Sequence, residues 1–232
     1  MTRDAWQDRD FAAGWDEAGN LFTNPDRKVQ LSLLADLVAS SGATRLLDLG
    51  IGSAQVEAAI AQRHPTFFET CRVTGIDLSQ AMLELAEDRC RQQAINEVRL
   101  FQQDFTSIAD VELDAAPDAV ICVQALHEVT HAVKQSVFRQ VREWLPEGRR
   151  FYILDRFEYA DDPWHDDWRG VWDWMRKGVS EDVLEFDDYH RRYSAKTDYI
   201  ASVADYRDWL EAAGFDSICP YHCFNRALII AH

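Results

Sequence analysis

The stretch 46–54 constrains the fold of this chain more than any other part of its sequence. An apolar, strand-like run ends at Asp48, and Gly50 and Gly52 follow before a helical pattern begins at Ala54. Glycine tolerates positive φ and lets a ligand approach the backbone, and the first amides of a helix are unpaired. This order predicts a nucleotide-type binding turn at the carboxyl edge of a sheet. An ordinary strand-to-helix turn with two glycines is the alternative.

Strand-like segments alternate with helical patterns through most of the chain. Strands are predicted at 45–49, 73–77, 98–102, 118–123 and 150–155, and helices at 25–40, 54–63, 79–92, 131–145 and 203–213. Two more strands, 216–222 and 225–231, are too close for a helical crossover, so they must pair as an antiparallel hairpin or lie apart. The predicted fold class is α/β, with a doubly wound, mostly parallel seven-stranded sheet and a C-terminal antiparallel hairpin.

The length of 232 residues predicts a single domain, 1–232, with two additions. Residues 1–28 are predicted to form a helical arm, and 157–195 form an insertion that we expect to act as a lid over the carboxyl edge of the sheet. Residues 157–190 include eleven acidic residues, only three basic residues, and four tryptophans. Aromatic and acidic side chains would suit a cationic or aromatic small molecule. A satellite core with solvated acids is the alternative.

Composition excludes several partners. The net charge of −16 repels polyanions, so we predict neither a nucleic-acid nor a membrane partner. No apolar run approaches the length of a membrane span, and no signal-peptide core follows Met1, so a cytoplasmic location is expected. Five scattered cysteines fit a reducing compartment. Cys219 and Cys223 flank His222 but lack further zinc ligands nearby, so no metal site is predicted.

Polar side chains follow four successive predicted strands. Asp48 lies at the end of the first, Asp77 at the end of the second, Asp104 after the third, and His127 with Glu128 after the fourth. Each acid alone could be a helix or turn cap. The carboxyl ends of parallel strands share one edge of a sheet, so we expect these side chains to converge on one crevice, where an acid after the second strand can accept ribose hydroxyls.

At this point the chain resembles the class I S-adenosylmethionine-dependent methyltransferases. The matching segments are 47–52, 75–79 with Met82, 104–105, 125–129 and 209–215 with the closing hairpin. The resemblance covers roughly residues 30–155 and 200–232. It differs from the commoner pattern at Ser53-Ala54, where Thr-Gly is usual. A nicotinamide-binding enzyme is the nearest rival, but its fingerprint requires a third glycine where this chain has Gln55.

The resemblance implies S-adenosyl-L-methionine as the cofactor. It places the glycine turn against the methionine moiety, Asp77 on the ribose, and Asp104 near the adenine amino group. The implied cofactor-binding residues are Asp48, Gly50, Gly52, Asp77, Leu78, Met82, Asp104 and Phe105.

The predicted activity is transfer of a methyl group to an oxygen or nitrogen atom of a small-molecule acceptor. His127 is the candidate catalytic residue, as a general base where the acceptor must lose its proton early. A packing role for His127 is the alternative. Two other functions stay open: a protein that binds S-adenosylmethionine or S-adenosylhomocysteine without transferring methyl groups, and a tRNA or protein methyltransferase. A homodimer is also left open.

Overall fold

The structure of the chain, a computed structural model, describes residues 6–18, 23–159, 163–179, 183–193 and 198–232. Its strands lie close to the predicted ones. They are β1 Arg45–Leu49, β2 Arg72–Asp77, β3 Val98–Gln102, β4 Ala119–Val123, β5 Arg150–Arg156, β6 Ser217–Cys223 and β7 Arg226–Ala231. The predicted strand boundaries are therefore correct to within one or two residues.

The seven strands form one sheet in the order β3-β2-β1-β4-β5-β7-β6. Strands β1 to β5 are parallel to one another, whereas β7 is antiparallel to both β5 and β6. The predicted hairpin therefore forms, and its second strand inserts next to β5. The chain reverses its direction of winding between β1 and β4, and ligands bind at the carboxyl ends of strands at such a switch point.

Helices cover both faces of the sheet. The described helices are α1 Arg9–Ala18, α2 Arg27–Ser40, α3 Gln55–Arg63, α4 Gln80–Gln92, α5 His131–Trp144, α6 His165–Arg176, α7 Phe186–Tyr193 and α8 Val203–Ala212. Leu47 of β1 belongs to the core with α5 and α8, while its neighbour Leu46 belongs to the core with α2 and α3. Because successive side chains of a strand point to opposite faces, these two cores sandwich the sheet.

The described part of the 157–195 insertion packs mainly on itself. Its side chains surround Phe224, which occupies the turn between β6 and β7 with a φ of 52°. The rings in contact with Phe224 are those of Tyr159, Trp168, Trp172, Phe186 and Tyr189. The satellite core is therefore present in these residues. Parts of the predicted lid, 160–162, 180–182 and 194–195, lie outside the described residues.

The described acids of the insertion are exposed or partly exposed. Arg169 donates through Nη1 to Asp187 Oδ2 at 2.8 Å, and Arg176 donates through Nη2 to Glu185 Oε1 at 2.7 Å. Both carboxylates are more than half exposed, so these pairs stabilise the segment little. Among the described residues, the negative charge of the insertion therefore lies on its solvent face.

Helix α1 lies on α4 at the carboxyl edge of the sheet. Ala12 is fully buried against Ala81 and Met82, and Trp6 makes edge contacts with both Phe11 and Trp15. Residues 1–5 and 19–22 of the predicted arm lie outside the described ones. Within the described ranges, no helix combines the length and the apolar character that crossing a membrane requires.

Candidate active site

The glycine turn connects β1 to α3 and is tied to the end of β2. Gly50 and Gly52 have φ values of 78° and 54°, which strongly favour glycine. The amides of Gly50 and Ile51 donate to the carbonyl of Ile76, at 2.7 Å and 3.1 Å. A side chain at Gly50 would collide with Ala125, whereas open space faces Gly52. The turn therefore leaves room for a ligand beside Gly52. The unusual Ala54 is accommodated in a left-handed conformation, with φ at 57°.

Asp77 ends β2 and holds the turn in place. Its Oδ2 accepts the Gly52 amide at 2.8 Å, and its Oδ1 accepts the Ser79 amide at 2.9 Å. Burial raises the pKa of Asp77, although these backbone amides oppose the shift. Asp77 lines a cavity of about 130 Å³, together with Leu78, Met82 and Phe105. Four of the predicted cofactor-binding residues thus share one cavity with the glycine turn.

Asp104 follows β3 and begins a short helical turn. Its Oδ1 accepts the Thr106 amide at 2.8 Å and caps a short turn. Its neighbours Gln103 and Phe105 line the cavity that contains Asp77. A role for Asp104 at an adenine amino group stays a prediction.

A second cavity, of about 80 Å³, lies on the other side of the turn. Asp48, Gly50, Gln55 and Arg27 contribute to its walls. Arg27 begins α2, is only 7% exposed, and donates through Nη2 to Gln55 Oε1 at 3.1 Å. Its Nε and Nη1 have no hydrogen-bond partner among the described residues. Burial lowers the pKa of Arg27 to about 10, which leaves it charged at neutral pH.

Asp48 and Glu57 form a buried pair of acids behind this cavity. Both are almost inaccessible to solvent, at 1% and 0% exposure. Burial raises the pKa of Glu57 to about 7, and burial together with the charge of Glu57 raises the pKa of Asp48 well above its usual range. Because two adjacent buried carboxylates cannot both ionise easily, the pair holds a proton near neutral pH.

His127 follows β4 and is paired with a buried carboxylate. Its Nδ1 lies 2.6 Å from Asp155 Oδ1, and its backbone amide donates to Asp155 Oδ2 at 3.0 Å. Burial alone would raise the pKa of Asp155, but the charge and hydrogen bond of His127 and the Arg156 amide hold it below its usual value. Asp155 is therefore ionised at neutral pH and can only accept, so Nδ1 of His127 carries the hydrogen and Nε2 is left as the other reactive nitrogen.

A third cavity, of about 110 Å³, contains His127. Its other walls come from several elements: Trp6, Trp15, Thr23, Gln124, Glu128, Arg156, Arg192, Tyr193, Asp198 and Arg226. Gln124 lines all three cavities and has a φ of 53° at the end of β4. The three cavities therefore meet at Gln124, at the switch point of the sheet.

Helix α1 forms a cover over this crevice. Trp6 lines the first and third cavities, and Trp15 lines the second and third. Asp16 fixes the helix by a two-pronged ion pair with Arg89, at 2.8 Å and 2.7 Å, and Arg89 also donates to Ser53 Oγ at 2.8 Å. The cover is thus fastened to the residue that follows the glycine turn.

The described residues contain one group of potential metal ligands. His127, Glu128 and Asp198 bring ligand atoms within 4.8 Å of one another. Asp198 already forms an ion pair with Arg156, and a cation would have to displace that buried guanidinium. The absence of a metal stays a prediction.

Comparisons with known proteins agree with this geometry. Residues 46–148 match the family model of a methyltransferase domain. The chain is similar in structure to the S-adenosylmethionine-dependent methyltransferase SibL, with 22% identity and a TM-score of 0.57 over 82% of this chain and 50% of SibL. No curated protein sequence matches the chain.

Two further solved structures are similar over nearly the whole chain. A putative O-methyltransferase from Nostoc punctiforme has 17% identity and a TM-score of 0.64, over 95% of this chain and 59% of that protein. Magnesium protoporphyrin IX methyltransferase from Synechocystis has 16% identity and the same TM-score, over 99% of this chain and 96% of that protein. The chain thus spans half of SibL and about three fifths of the Nostoc protein, and nearly all of the Synechocystis enzyme.

The seven-stranded sheet with its reversed hairpin and the glycine turn at the switch point define a Rossmann-like methyltransferase domain. The matched region, residues 46–148, is a methyltransferase domain, and the fold of the chain is similar to that of S-adenosylmethionine-dependent methyltransferases. The prediction of the fold class is confirmed. The family-model match and the similar structures agree with the predictions of the family, of a methyltransferase and of S-adenosyl-L-methionine as its cofactor.

Several site residues escape prediction from the sequence. After the fifth strand, the sequence indicates Asp155, Arg156 and Glu158 only as residues that line the pocket, and it does not single out Arg27 or Arg226. Arg156 and Arg226 each occupy one end of a strongly apolar strand. A charged residue at such a position, next to a predicted crevice, is the signal that could have identified them.

Proposed function

We propose that this chain transfers a methyl group from S-adenosylmethionine to an oxygen or nitrogen atom of a small-molecule acceptor. The observation that carries the proposal is the His127–Asp155 pair in a cavity that adjoins the glycine-turn cavities at Gln124. The bound cofactor supplies an electrophilic methyl group on a sulfonium. The residues of the chain then have to align the acceptor and receive its proton.

The residues of the first two cavities fit the cofactor. The orphaned N–H groups of buried Arg27 suit a carboxylate, and the unpartnered Oδ1 of Asp48 suits an ammonium group, so together they would hold the methionine end. Asp77 would accept ribose hydroxyls, and Leu78, Met82 and Phe105 would contact the adenine ring. The open space beside Gly52 leaves room for the chain that joins these two ends.

His127 would act as the general base. Asp155 accepts the Nδ1 hydrogen and fixes the ring, so Nε2 can take a proton from an acceptor hydroxyl or amine in the third cavity. Tyr206 donates to Asp155 Oδ2 at 3.4 Å, and the ammonium of buried Lys134 adds a positive charge nearby. Both groups favour the ionised carboxylate that positions the ring.

A small acceptor is favoured over a macromolecule. One structural neighbour is named for magnesium protoporphyrin IX and another is named an O-methyltransferase, and both names refer to those proteins. In this chain the cavity beside His127 is covered by Trp6 and Trp15. The net charge of −16 opposes binding of tRNA.

The proposal is tested in two stages. Calorimetry should show that the protein binds S-adenosylmethionine and S-adenosylhomocysteine, and absence of binding of either would overturn the proposal. The protein is then incubated with methyl-labelled S-adenosylmethionine and fractionated metabolite extracts, and we expect label in a low-molecular-weight product. Binding without any transfer, or label recovered only in tRNA or protein, would favour one of the alternative functions.

A further inference from the structure

Two arginines of the acceptor cavity lie opposite each other on neighbouring strands of the sheet. Arg156, the last residue of β5, is directly opposite Arg226, the first residue of the antiparallel β7. Directly opposed residues of such a pair project from the same face, and like charges in this position are destabilising. Both side chains are buried, at 3% and 6% exposure, and both line the cavity that contains His127. This arrangement requires negative charge close by.

Within the described part of the chain, only one of the two arginines has a counter-charge. Asp198 forms an ion pair with Arg156. Arg226 donates through Nη1 to Asn225 Oδ1 at 2.8 Å and to the Tyr189 hydroxyl at 3.3 Å, and both of these partners are neutral. Its Nε has no hydrogen-bond partner. Across the described ranges, no carboxylate pairs with Arg226.

The remaining charges near the cavity do not compensate for Arg226. Glu128 lies 3.5 Å from Nε2 of His127, and although burial would raise its pKa, His127 and Arg156 keep that pKa below its usual value. Arg27 is close enough for Arg226 to add to the lowering of its pKa. A buried charge without a counter-ion is unfavourable by several kcal/mol. An anion bound in the cavity would remove this penalty.

We propose that the acceptor carries a carboxylate that pairs with Arg226, while its nucleophilic oxygen or nitrogen faces His127. The inference rests on the proposed function and specifies its substrate class. A guanidinium offers two parallel N–H groups that match a carboxylate. The overall charge of −16 would repel an anion at long range, so recognition depends on this local, buried positive charge.

The test uses the protein saturated with S-adenosylhomocysteine. Calorimetry measures the binding of hydroxybenzoates and short hydroxyalkanoates. Each acid is compared with its primary amide and with a phosphate monoester of matching size. We expect the carboxylates to bind and the amides to bind at least tenfold more weakly. Stronger binding of the phosphate esters would mean that the same arginine binds a phosphate, and it would overturn the proposal that the acceptor carries a carboxylate. Equal binding of acids and amides, or no binding of any acid, would overturn the inference altogether.

Variants of Arg226 make the test specific. Arg226→Gln should weaken carboxylate binding about 10- to 100-fold, the value of a charge-assisted hydrogen bond, and Arg226→Lys should have an intermediate effect. The control Arg139→Gln alters an exposed arginine of α5 and should change nothing. Without ligand, we expect Arg226→Gln to melt at or above the wild-type temperature, because it removes an uncompensated charge. A clearly lower melting temperature with unchanged acid binding would make Arg226 a structural residue.

Binding of S-adenosylhomocysteine separates this inference from the proposed function. If the wild type does not bind it, the proposed function fails. If Arg226→Gln weakens S-adenosylhomocysteine binding as much as carboxylate binding, the charge serves the cofactor and only the present inference fails. A methyl ester of the probe as the product would show that the carboxylate itself is the nucleophile, and would also overturn it.

Discussion

The two halves of the crevice differ in their balance of charged groups and come from different parts of the chain. The cofactor half is built mainly from carboxyl groups and backbone amides around one turn, with Asp48, Gly52 and Asp77 within thirty positions of one another and Arg27 as its buried cation. The acceptor half presents arginines and a histidine from β4, β5 and β7. A local motif therefore specifies the part of the site that the family has in common, whereas the acceptor pocket depends on how distant elements pack together.

The largest effect is expected in the acceptor half. Replacing His127 with alanine should lower kcat by about 10²- to 10⁴-fold, because the acceptor loses its proton acceptor. Binding of S-adenosylmethionine should be unchanged, since His127 lines only the third cavity. Single-turnover transfer of labelled methyl and calorimetry measure these two quantities on the same sample.

Asp155→Asn is the companion variant. It keeps the size of the side chain but removes the charge that fixes the Nδ1 hydrogen of His127. We expect a loss of kcat with little change in cofactor affinity and a different dependence of kcat on pH. Full activity in both variants would mean that the acceptor needs no base and that His127 has a packing role.

Asp77→Ala should have the next largest effect, and only on the cofactor half. The variant loses the proposed ribose contact and the acceptor for the Gly52 and Ser79 amides, so affinity for S-adenosylmethionine should fall about 100-fold. Asp88→Ala, an exposed substitution on α4, is the matched control. Calorimetry measures the affinities, and circular dichroism checks that the variant is folded. Unaltered affinity would remove Asp77 from the site.

The sequence predicts the cofactor half well because its signals are local. Asp48, Gly50 and Gly52 are adjacent in the chain, and the acid at the end of the next strand follows from the alternation of strands and helices. Asp104 shows what the motif does not specify, since one of its carboxylate oxygens accepts the Thr106 amide and its neighbours Gln103 and Phe105 line the cavity. Propensity and spacing fix where a strand ends, but they do not determine which way its next side chain points.

The acceptor half is harder to predict because its contacts are non-local. Arg156 and Arg226 are seventy positions apart and become neighbours only through the insertion of β7 next to β5. The aromatic residues of the insertion suggested a site for a cationic or aromatic molecule, but most of those described pack around Phe224. The composition of a segment gives the number of its charged residues, but the packing of the chain determines which of them line the cavity.

Arg27→Gln should separate two parts of the cofactor. If Arg27 holds the methionine carboxylate, affinity for S-adenosylhomocysteine should fall about tenfold or more, since a hydrogen bond to a charged group contributes about 1.5 to 3 kcal/mol. Binding of methylthioadenosine, which lacks that carboxylate, should not change. Asp77→Ala should weaken both ligands. Calorimetry with the two ligands makes the comparison, and an equal loss for both in Arg27→Gln would mean that Arg27 shapes the whole site.

The smallest expected effect concerns the acids behind the turn and is one of stability. Since burial raises the pKa of Glu57 from 4.5 to about 7, the folded chain binds a proton more tightly than the unfolded chain does. The stabilisation from this proton is complete below pH 4.5 and is lost as the pH rises through 7, so this group makes the free energy of unfolding decrease across that window. Glu57→Gln should remove this decrease.

The size of the effect should be at most about 3 kcal/mol between pH 4.5 and 8. Urea denaturation of wild type and Glu57→Gln at several pH values measures it, and the difference between the two curves cancels the contribution of the other acids. We expect the variant to be more stable relative to wild type at pH 8 than at pH 5. Parallel curves would mean that Asp48 alone holds the proton. Because Asp48 is the proposed contact of the cofactor ammonium, that result would also predict proton release when the cofactor binds.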